Sequence, residues 1–298
     1  MKLKPVNLNL DSVTLQDVEN HKIITDQELN RDLNNIIKFN ASSNKMSFAG
    51  NPFLYHFQLK NLLKCHREDG KSIYDLNEDE WKLLIEQTKK KNRGGRTAAA
   101  NVYECFRINK GSVVMFKSTT AKYLYKKYNA KSVLDPTAGW GGRMLGAWSL
   151  GINYTGIDTN VEMKSAYENM ISFLHSNNPL DSSNLNMIWK SCLDVDFSTI
   201  EYDFVLTSPP YINLEVYEHM DLWNSDEAFY KTFFIPLFDK CMKHIKKDGY
   251  ICFNISPKMY TDALSYGLRP CYEEEDLLQQ LGQKKGKKKQ DKIYVWKA

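Results

Sequence analysis

The sequence predicts an α/β fold in which a largely parallel sheet is covered by helices on both faces, next to a mostly helical N-terminal region. From about residue 111 onward, short apolar runs alternate with helical segments. Alternation of this kind indicates parallel strands joined by helical crossovers. Six runs have the length and composition of strands: 132–135, 154–158, 186–189, 203–207, 250–255 and 292–296.

The clearest helical segment spans residues 225–247. Ser225 suits the N-cap, acidic residues follow it at the positive end of the helix dipole, and lysines precede Gly249 at the other end. In the N-terminal region, apolar residues recur at helical spacing over 79–90. The acidic run 273–276 is interpreted as the start of a further helix.

Length and composition limit the classes of protein to consider. The 298 residues predict one large or two modest domains, and the change of pattern suggests an N-terminal region, 1–110, and a second domain, 111–298. No apolar run approaches the roughly 18 residues of a membrane span, and no secretory signal is visible. The formal net charge of +4 does not by itself indicate nucleic-acid binding.

Cysteines and histidines also lack the spacing of a metal site. The six cysteines form no CxxC pair and the six histidines are scattered, which argues against a zinc ribbon or a disulfide framework. Scattered cysteines fit a reducing compartment. We therefore expect no metal, no membrane and a cytoplasmic location, or a nuclear or viral compartment in a eukaryotic system.

A glycine-rich loop, 135–143, follows the first predicted strand. Gly139 and Gly141 let the backbone approach a ligand closely, and the next helix presents its N–H groups there. The loop matches neither the phosphate-binding P-loop nor the GxGxxG pattern. Asp135, followed by Pro136, disfavours phosphate but can accept hydrogen bonds from an ammonium group. The alternative is an ordinary glycine-rich turn.

Asp158 ends the second predicted strand, where a carboxylate can accept both hydroxyls of a ribose. Its alternative interpretation is a surface acid after a strand. Taken together, Asp135, the glycines and Asp158 predict S-adenosylmethionine as the cofactor, with its ammonium group at one end of the site and its ribose at the other.

A tetrapeptide follows the fourth predicted strand: Ser208, Pro209, Pro210 and Tyr211. Each proline fixes φ and removes an N–H donor, so the loop offers mainly acceptors. The Ser208 side chain and the Pro209 carbonyl can hold the two hydrogens of a planar amino group, while Tyr211 can stack on the ring that bears it. A proline-stiffened turn explains the peptide alone, but not its position at a strand end after the glycine-rich loop.

The segments 135–143, 156–158 and 208–211 together resemble the class I methyltransferase fold with the tetrapeptide of amino-methyltransferases. The chain is similar to DNA methyltransferases that modify the N6 atom of adenine or the N4 atom of cytosine. Residues 116–120, which include Phe116 and Thr119, resemble their preceding cofactor motif. The longer matches 138–143 and 208–215 look like methylases of phages and large DNA viruses. The resemblance covers roughly residues 111–298.

The resemblance implies a flipped target base stacked on Tyr211, with double-stranded DNA as the partner. It implies cofactor contacts through Asp135, Gly139, Gly141 and Asp158, and Phe116, Thr119 and Pro136 belong to the same motifs. By position, Asp194 in the loop after the third strand is expected near the adenine ring. Cys192 is expected to pack rather than to act as a nucleophile. Ser208 resembles the N4-cytosine members more than the N6-adenine members.

The second domain contains no obvious target-recognition segment. About 65 residues separate the two main motifs, which leaves no room for an insert, so residues 1–110 become the specificity region by elimination. The basic stretches 89–96 and 284–289 are either contacts to DNA phosphates or solvated loops.

Other functions remain open at this stage. An RNA methyltransferase can use the same tetrapeptide. Protein glutamine methylation is disfavoured, because those enzymes carry Asn where this chain has Ser208. A non-catalytic nucleic-acid-binding relative is disfavoured by the intact motifs. No nuclease motif is visible.

Overall fold

A computed structural model describes residues 9–42, 47–66, 70–91, 96–110, 115–177, 183–211, 223–276 and 291–298. Three of the segments discussed above lie outside these described residues in whole or in part. They are the basic stretch 284–289, the middle of the basic stretch 89–96, and residues 212–215 of the longer match.

The described residues form eleven α-helices and seven strands. The helices are α1 Leu15–Asn20, α2 Asp26–Lys38, α3 Asn51–Lys64, α4 Glu78–Lys91, α5 Ala98–Lys110, α6 Ser118–Lys127, α7 Gly142–Trp148, α8 Lys164–Ser176, α9 Asp226–Phe229, α10 Ile235–His244 and α11 Pro257–Ser265. The strands are β1 Ser132–Asp135, β2 Asn153–Asp158, β3 Leu185–Trp189, β4 Phe204–Thr207, β5 Tyr250–Ile255, β6 Glu273–Asp276 and β7 Lys292–Lys297. All six predicted strands are present, each within one residue of its expected bounds.

The strands form one sheet in the order β3-β2-β1-β4-β5-β7-β6. β1 to β5 are parallel, whereas β7 lies antiparallel between β5 and β6. The chain reverses its direction of winding between β1 and β4. In such sheets the crevice at the carboxyl ends of the strands, beside this switch point, is where ligands bind.

Both faces of the sheet are covered by helices, as the sequence predicts. Successive residues of a strand point to opposite faces, so Val133 joins one core cluster and Leu134 the other. In the same way, Cys252 of β5 faces the first cluster and Ile251 faces the second. Helices α2, α3, α6, α7 and α8 complete the first cluster, and α9, α10 and α11 complete the second.

The N-terminal region is helical, and it contributes to two cores. Phe53 and Leu54 of α3, both fully buried, belong to the same cluster as the first face of the sheet. Helices α1, α4 and α5 instead form a separate cluster with the far end of α3, around Leu59 and Leu63. The domain boundary at residue 110 stays a prediction. Helix α2 and the first part of α3 pack in the same core cluster as the sheet.

The helical segment over 225–247 begins as expected but is not a uniform α-helix. The Ser225 hydroxyl accepts a hydrogen bond from the backbone N–H of Ala228 and caps α9. Between α9 and α10, residues Tyr230–Phe234 form a π-helical turn. Pro236 lacks an N–H and its ring would clash with the carbonyl four residues earlier, and a wider turn accommodates it. Helix α10 ends at His244, three residues earlier than the expected end of the segment.

The interpretation of 273–276 as the start of a helix is wrong, because these residues form β6. Glu273 and Glu275 point to one side and meet Lys127 of α6. Glu274 on the other side pairs with Lys292 of β7, and Glu274 Oε2 lies 2.8 Å from Lys292 Nζ. Two lysines, one from α6 and one from the neighbouring strand β7, therefore each pair with two of the four acids. A charged edge strand also discourages pairing with another chain.

Candidate active site

The loops after β1, β2 and β4 converge at the carboxyl edge of the sheet, because these three strands are neighbours. One side chain joins the loops after β1 and β4 directly. The Thr137 hydroxyl lies 2.6 Å from the Thr207 hydroxyl, and it donates to the Ser208 carbonyl at 3.0 Å. The glycine-rich loop and the tetrapeptide therefore belong to one site.

The glycine-rich loop is held by hydrogen bonds at Gly139. Its N–H donates to Asp158 Oδ2 at 2.8 Å, and its carbonyl accepts from the Tyr167 hydroxyl at 2.8 Å. The neighbouring Ala138 N–H donates to the Ile157 carbonyl at 2.9 Å. The loop is thus fixed to the end of β2 and to helix α8.

Glycine is required at the start of α7 for two different reasons. Gly141 is the N-cap residue and has a φ of 87°, in the left-handed region that side chains disfavour. At Gly142, a Cβ atom would lie 2.0 Å from the Phe116 carbonyl oxygen. The segment before α6 therefore presses directly on the start of α7, which brings Phe116 to the edge of the loop.

Beneath the loop, Asp135 forms a buried ion pair with Arg143. Arg143 Nε donates to Asp135 Oδ2 at 2.6 Å, and the Tyr154 hydroxyl donates to the same oxygen at 2.6 Å. The side chain of Asp135 is 0% exposed and that of Arg143 is 5% exposed. Burial alone would lower the pKa of Arg143, but the Asp135 charge and hydrogen bond outweigh it and raise that pKa above its usual value. Arg143 also donates to the Thr137 carbonyl.

The two oxygens of Asp135 therefore differ. Oδ2 holds Arg143 and Tyr154, whereas Oδ1 is buried and has no hydrogen-bond partner among the described residues. A contact with an ammonium group, as predicted from the sequence, would have to use Oδ1, the oxygen without a partner. Contact of Asp135 with the cofactor stays a prediction.

Asp158 ends β2 and is part-exposed beside the loop. Its two oxygens accept from the backbone N–H groups of Gly139 and Asn160, at 2.8 and 2.9 Å. Burial raises the pKa of Asp158 to about 6, and these two hydrogen bonds oppose the shift. Each carboxylate oxygen can accept a second hydrogen bond, as the predicted ribose contact requires.

The tetrapeptide is held at Ser208 by its neighbours on both sides. Thr137 binds the Ser208 carbonyl, as described above. On the β5 side, Asn254 Nδ2 donates to Ser208 Oγ at 3.2 Å, and the Ser208 hydroxyl is directed at the Asn254 carbonyl oxygen at 3.4 Å. The hydroxyl is part-buried.

Tyr211 is part-buried against the second core cluster. Its hydroxyl donates to Asp291 Oδ2 at 2.7 Å. Pro209 is buried and Pro210 is part-buried, so the two prolines lie between the anchored Ser208 and the anchored Tyr211.

The remaining predicted cofactor residues lie in different surroundings. Phe116 is part-buried, with its ring 5.3 Å from the Arg143 guanidinium carbon. Thr119 is buried in α6, and its hydroxyl donates to the Ser47 carbonyl at 3.3 Å. Pro136 is buried, and Asp194 is exposed in the loop after β3. Their contacts with a cofactor stay predictions.

Sequence reasoning missed the residues that hold the site together. They are Thr137, Arg143, Tyr167, Asn254 and Asp291, as judged by the bonds described above. Arg143 and Thr137 stand inside the glycine-rich motif and could have been noticed as polar residues there. The other three come from separate elements, and no local pattern points to them.

Cys192 is buried, and burial raises the pKa of its thiol to about 12, so it is not a thiolate nucleophile near neutral pH. Among the described residues, no group of three His, Cys, Asp or Glu side chains is arranged to hold a metal ion. Across the same part of the chain, none of the helices combines the length and the hydropathy needed to cross a membrane.

The fold and the site define the class of protein. A sheet with β7 antiparallel between β5 and β6, a glycine-rich loop after β1 and an acid ending β2 are together the class I methyltransferase arrangement. Residues 107–285, more than half of the chain, match the family model described as Eco57I restriction-modification methylase. The chain belongs to this family and is a methyltransferase.

Two of the similar solved structures are described as follows. An RNA methyltransferase from Salinibacter ruber, in complex with S-adenosyl-L-homocysteine, is 13% identical over 62% of this chain and 93% of that chain, with a TM-score of 0.39. An rRNA methylase from Streptococcus thermophilus is 12% identical over 62% of this chain and 97% of that chain, with a TM-score of 0.39. Likenesses of this strength say nothing about the substrate. No curated protein matches the sequence.

Proposed function

We propose that the protein transfers a methyl group from S-adenosylmethionine to an exocyclic amino group of a flipped base in DNA. The observation that carries this proposal is the Thr137 hydroxyl, which contacts both the Thr207 hydroxyl and the Ser208 carbonyl. Through it, the loop suited to the cofactor and the tetrapeptide suited to an amino group form one site.

The residues of the first loop fit this cofactor. Gly139 has open space where a side chain would stand, since a Cβ atom there would meet only Arg143 Nη2, at 3.9 Å. Asp158 is part-exposed at the same edge, where its carboxylate would hold the ribose hydroxyls. The unpartnered Asp135 Oδ1 is an acceptor of the kind that suits the ammonium group.

The chemistry of transfer sets the task of the second loop. S-adenosylmethionine supplies an electrophilic methyl group bonded to a sulfonium sulfur. The amino nitrogen of a base is a poor nucleophile, because its lone pair is delocalised into the ring. Ser208 Oγ and the Pro209 carbonyl, by accepting the two amino hydrogens, favour a tetrahedral nitrogen whose lone pair points at the methyl carbon.

Tyr211 would receive the base. The amino nitrogen of a base inside a duplex cannot reach the methyl group, so the nucleotide is turned out of the helix. Stacking on an aromatic ring then holds the base in place. The hydrogen bond from Tyr211 to Asp291 at 2.7 Å keeps that ring in one orientation.

DNA is supported as the substrate by membership of a restriction-modification methylase family. For the target atom, Ser208 at the first position of the tetrapeptide supports N4 of cytosine over N6 of adenine. This choice depends on the resemblance alone, since both bases carry an amino group beside a ring nitrogen.

The proposal is tested by incubating the protein with labelled S-adenosylmethionine and, in parallel, unmethylated double-stranded DNA, RNA or protein. We expect label in DNA only. Digestion to nucleosides and mass spectrometry should then identify N4-methyldeoxycytidine. N6-methyldeoxyadenosine would change the base and leave the reaction class intact, whereas label in RNA or protein alone would overturn the proposal.

A further inference from the structure

We infer that Asn254 is a positioning residue that makes Ser208 a hydrogen-bond acceptor toward the target amino group. The inference rests on the proposed function and assigns a role to a residue outside every motif. Asn254 lies in β5, beside the strand end that carries the tetrapeptide, since Thr207 pairs with Phe253.

Two contacts define the state of the Ser208 hydroxyl. Asn254 Nδ2 donates to Oγ at 3.2 Å, which occupies one of the two lone pairs. The hydroxyl hydrogen is directed at the main-chain carbonyl oxygen of Asn254, with the two oxygens 3.4 Å apart. One lone pair of Oγ is left for another donor.

The direction of this hydroxyl matters for methyl transfer. A serine hydroxyl can either accept a hydrogen bond or donate one. If Ser208 donated to the amino nitrogen, the hydrogen would occupy the lone pair that must attack the methyl carbon. An aspartate at this position could only accept, so a serine enzyme needs a second residue to prevent donation. Asn254 meets that need with two groups: its main-chain carbonyl faces the hydrogen, and its side-chain Nδ2 occupies one lone pair and holds Oγ in place for that contact.

The side chain of Asn254 also has a feature that lowers the stability of the fold. Its Oδ1 is buried and has no hydrogen-bond partner among the described residues. A buried acceptor without a partner destabilises the folded protein. An apolar side chain at this β5 position would avoid the cost, so the amide is better explained by its contact with Ser208 than by packing.

The test is a double-mutant cycle on the full chain, with Ser208→Ala, Asn254→Leu and the two combined. Single-turnover methyl transfer to unmethylated DNA and S-adenosylmethionine affinity are measured for each. We expect Asn254→Leu to slow transfer on the order of 10- to 100-fold, as small misplacement of a reacting group does, with cofactor affinity unchanged. Because Asn254 acts through Ser208, the double variant should be as slow as Ser208→Ala.

Two further variants distinguish a positioning role of Asn254 from a general loss of stability. Asn254→Asp removes the donor but offers a carboxylate that takes the Ser208 hydrogen, so transfer should be restored when that carboxylate is ionised and should decline toward acid pH. Tyr202→Phe removes another buried side-chain hydrogen bond, which the Tyr202 hydroxyl donates to the Cys241 carbonyl at 3.0 Å. It should affect thermal stability and not the rate of transfer.

Multiplicative effects in the double variant, or an unchanged rate in Asn254→Leu, would overturn the positioning role while leaving the proposed function in place. An Asn254→Asp variant with the pH profile of the wild type would also overturn it. Absence of methyl transfer to DNA by the wild type itself overturns the proposed function, and this inference with it.

Discussion

The two loops of the site are supported in different ways. The glycine-rich loop lies over a buried ion pair and is bonded to β2 and α8 through Gly139. The tetrapeptide is held by hydrogen bonds to Thr137, Asn254 and Asp291, which come from three separate parts of the chain. The glycine-rich loop therefore rests on buried charged groups, whereas the tetrapeptide is fixed by hydrogen bonds between part-buried side chains.

The difference separates two kinds of residue. Changes beneath the first loop should affect both folding and cofactor binding, because the same buried groups serve both. Changes around the tetrapeptide should affect turnover with the fold and the cofactor site intact.

Removal of residues 1–110 should have the largest effect. Leu54 of α3 is fully buried and would lie 3.5 Å from a Cβ atom at Gly141, so the N-terminal region supports the first loop directly. We expect the fragment 111–298 to lose cooperative thermal unfolding and cofactor binding together. A fragment that unfolds cooperatively and binds S-adenosylmethionine would show that the first loop is supported by the sheet alone.

Arg143→Met should destabilise the protein strongly. It leaves the Asp135 carboxylate buried without its charged partner, and breaking a buried pair in this way costs about 3–5 kcal/mol. The free energy of unfolding in urea measures the effect. The matched control is Lys258→Met, which breaks an exposed pair with Asp262 and should cost about 0–1 kcal/mol. Equal losses in the two variants would contradict a buried support for the first loop.

Tyr211→Ala should reduce kcat/KM for DNA about 10- to 100-fold, since stacking contributes about 1–3 kcal/mol per base. Cofactor affinity should be unchanged. Tyr211→Phe keeps the ring and loses the hydrogen bond to Asp291, so it should retain much of the activity and match Asp291→Ala. A Tyr211→Ala variant that binds the cofactor poorly would mean that the two loops are not separable.

Cofactor affinity should depend on pH through Asp158. Because the pKa of this carboxyl is raised to about 6, it takes up a proton as the pH falls below that value and can no longer accept both ribose hydroxyls. Calorimetry should find binding about 10-fold weaker at pH 5 than at pH 7. Without cofactor, the sign for stability is opposite: a raised folded-state pKa favours folding at low pH, and that contribution is lost as the pH rises toward 6.

Much of the fold could be predicted because its signals are local. The six strands were visible as apolar runs, and Ser225 was visible as a helix cap. β6 was not, because four consecutive acids suggest the first turn of a helix. The strand is stabilised by Lys127, which is far away in sequence, and by Lys292 of the neighbouring strand, each of which pairs with two of those acids.

The site divides in the same way. Asp158, the glycines and the tetrapeptide were predictable because their residue types and order carry the chemistry. The partners Tyr167 and Asn254 were not, since neither belongs to a motif and each reaches the site only when the strands are assembled. Even Asp135, which the sequence singled out, has one oxygen committed to Arg143, a detail that only packing decides.

The separation of the two loops is tested most directly by comparing Asp158→Asn with Ser208→Ala in two measurements: calorimetric affinity for S-adenosylmethionine and single-turnover methyl transfer to DNA. Asp158→Asn should bind the cofactor about 10- to 100-fold more weakly, as the loss of charge-assisted hydrogen bonds implies, and its transfer at subsaturating cofactor should fall with it. Ser208→Ala should bind the cofactor as the wild type does and lose most of its transfer. Weakened cofactor binding in Ser208→Ala, or wild-type binding in Asp158→Asn, would contradict the account.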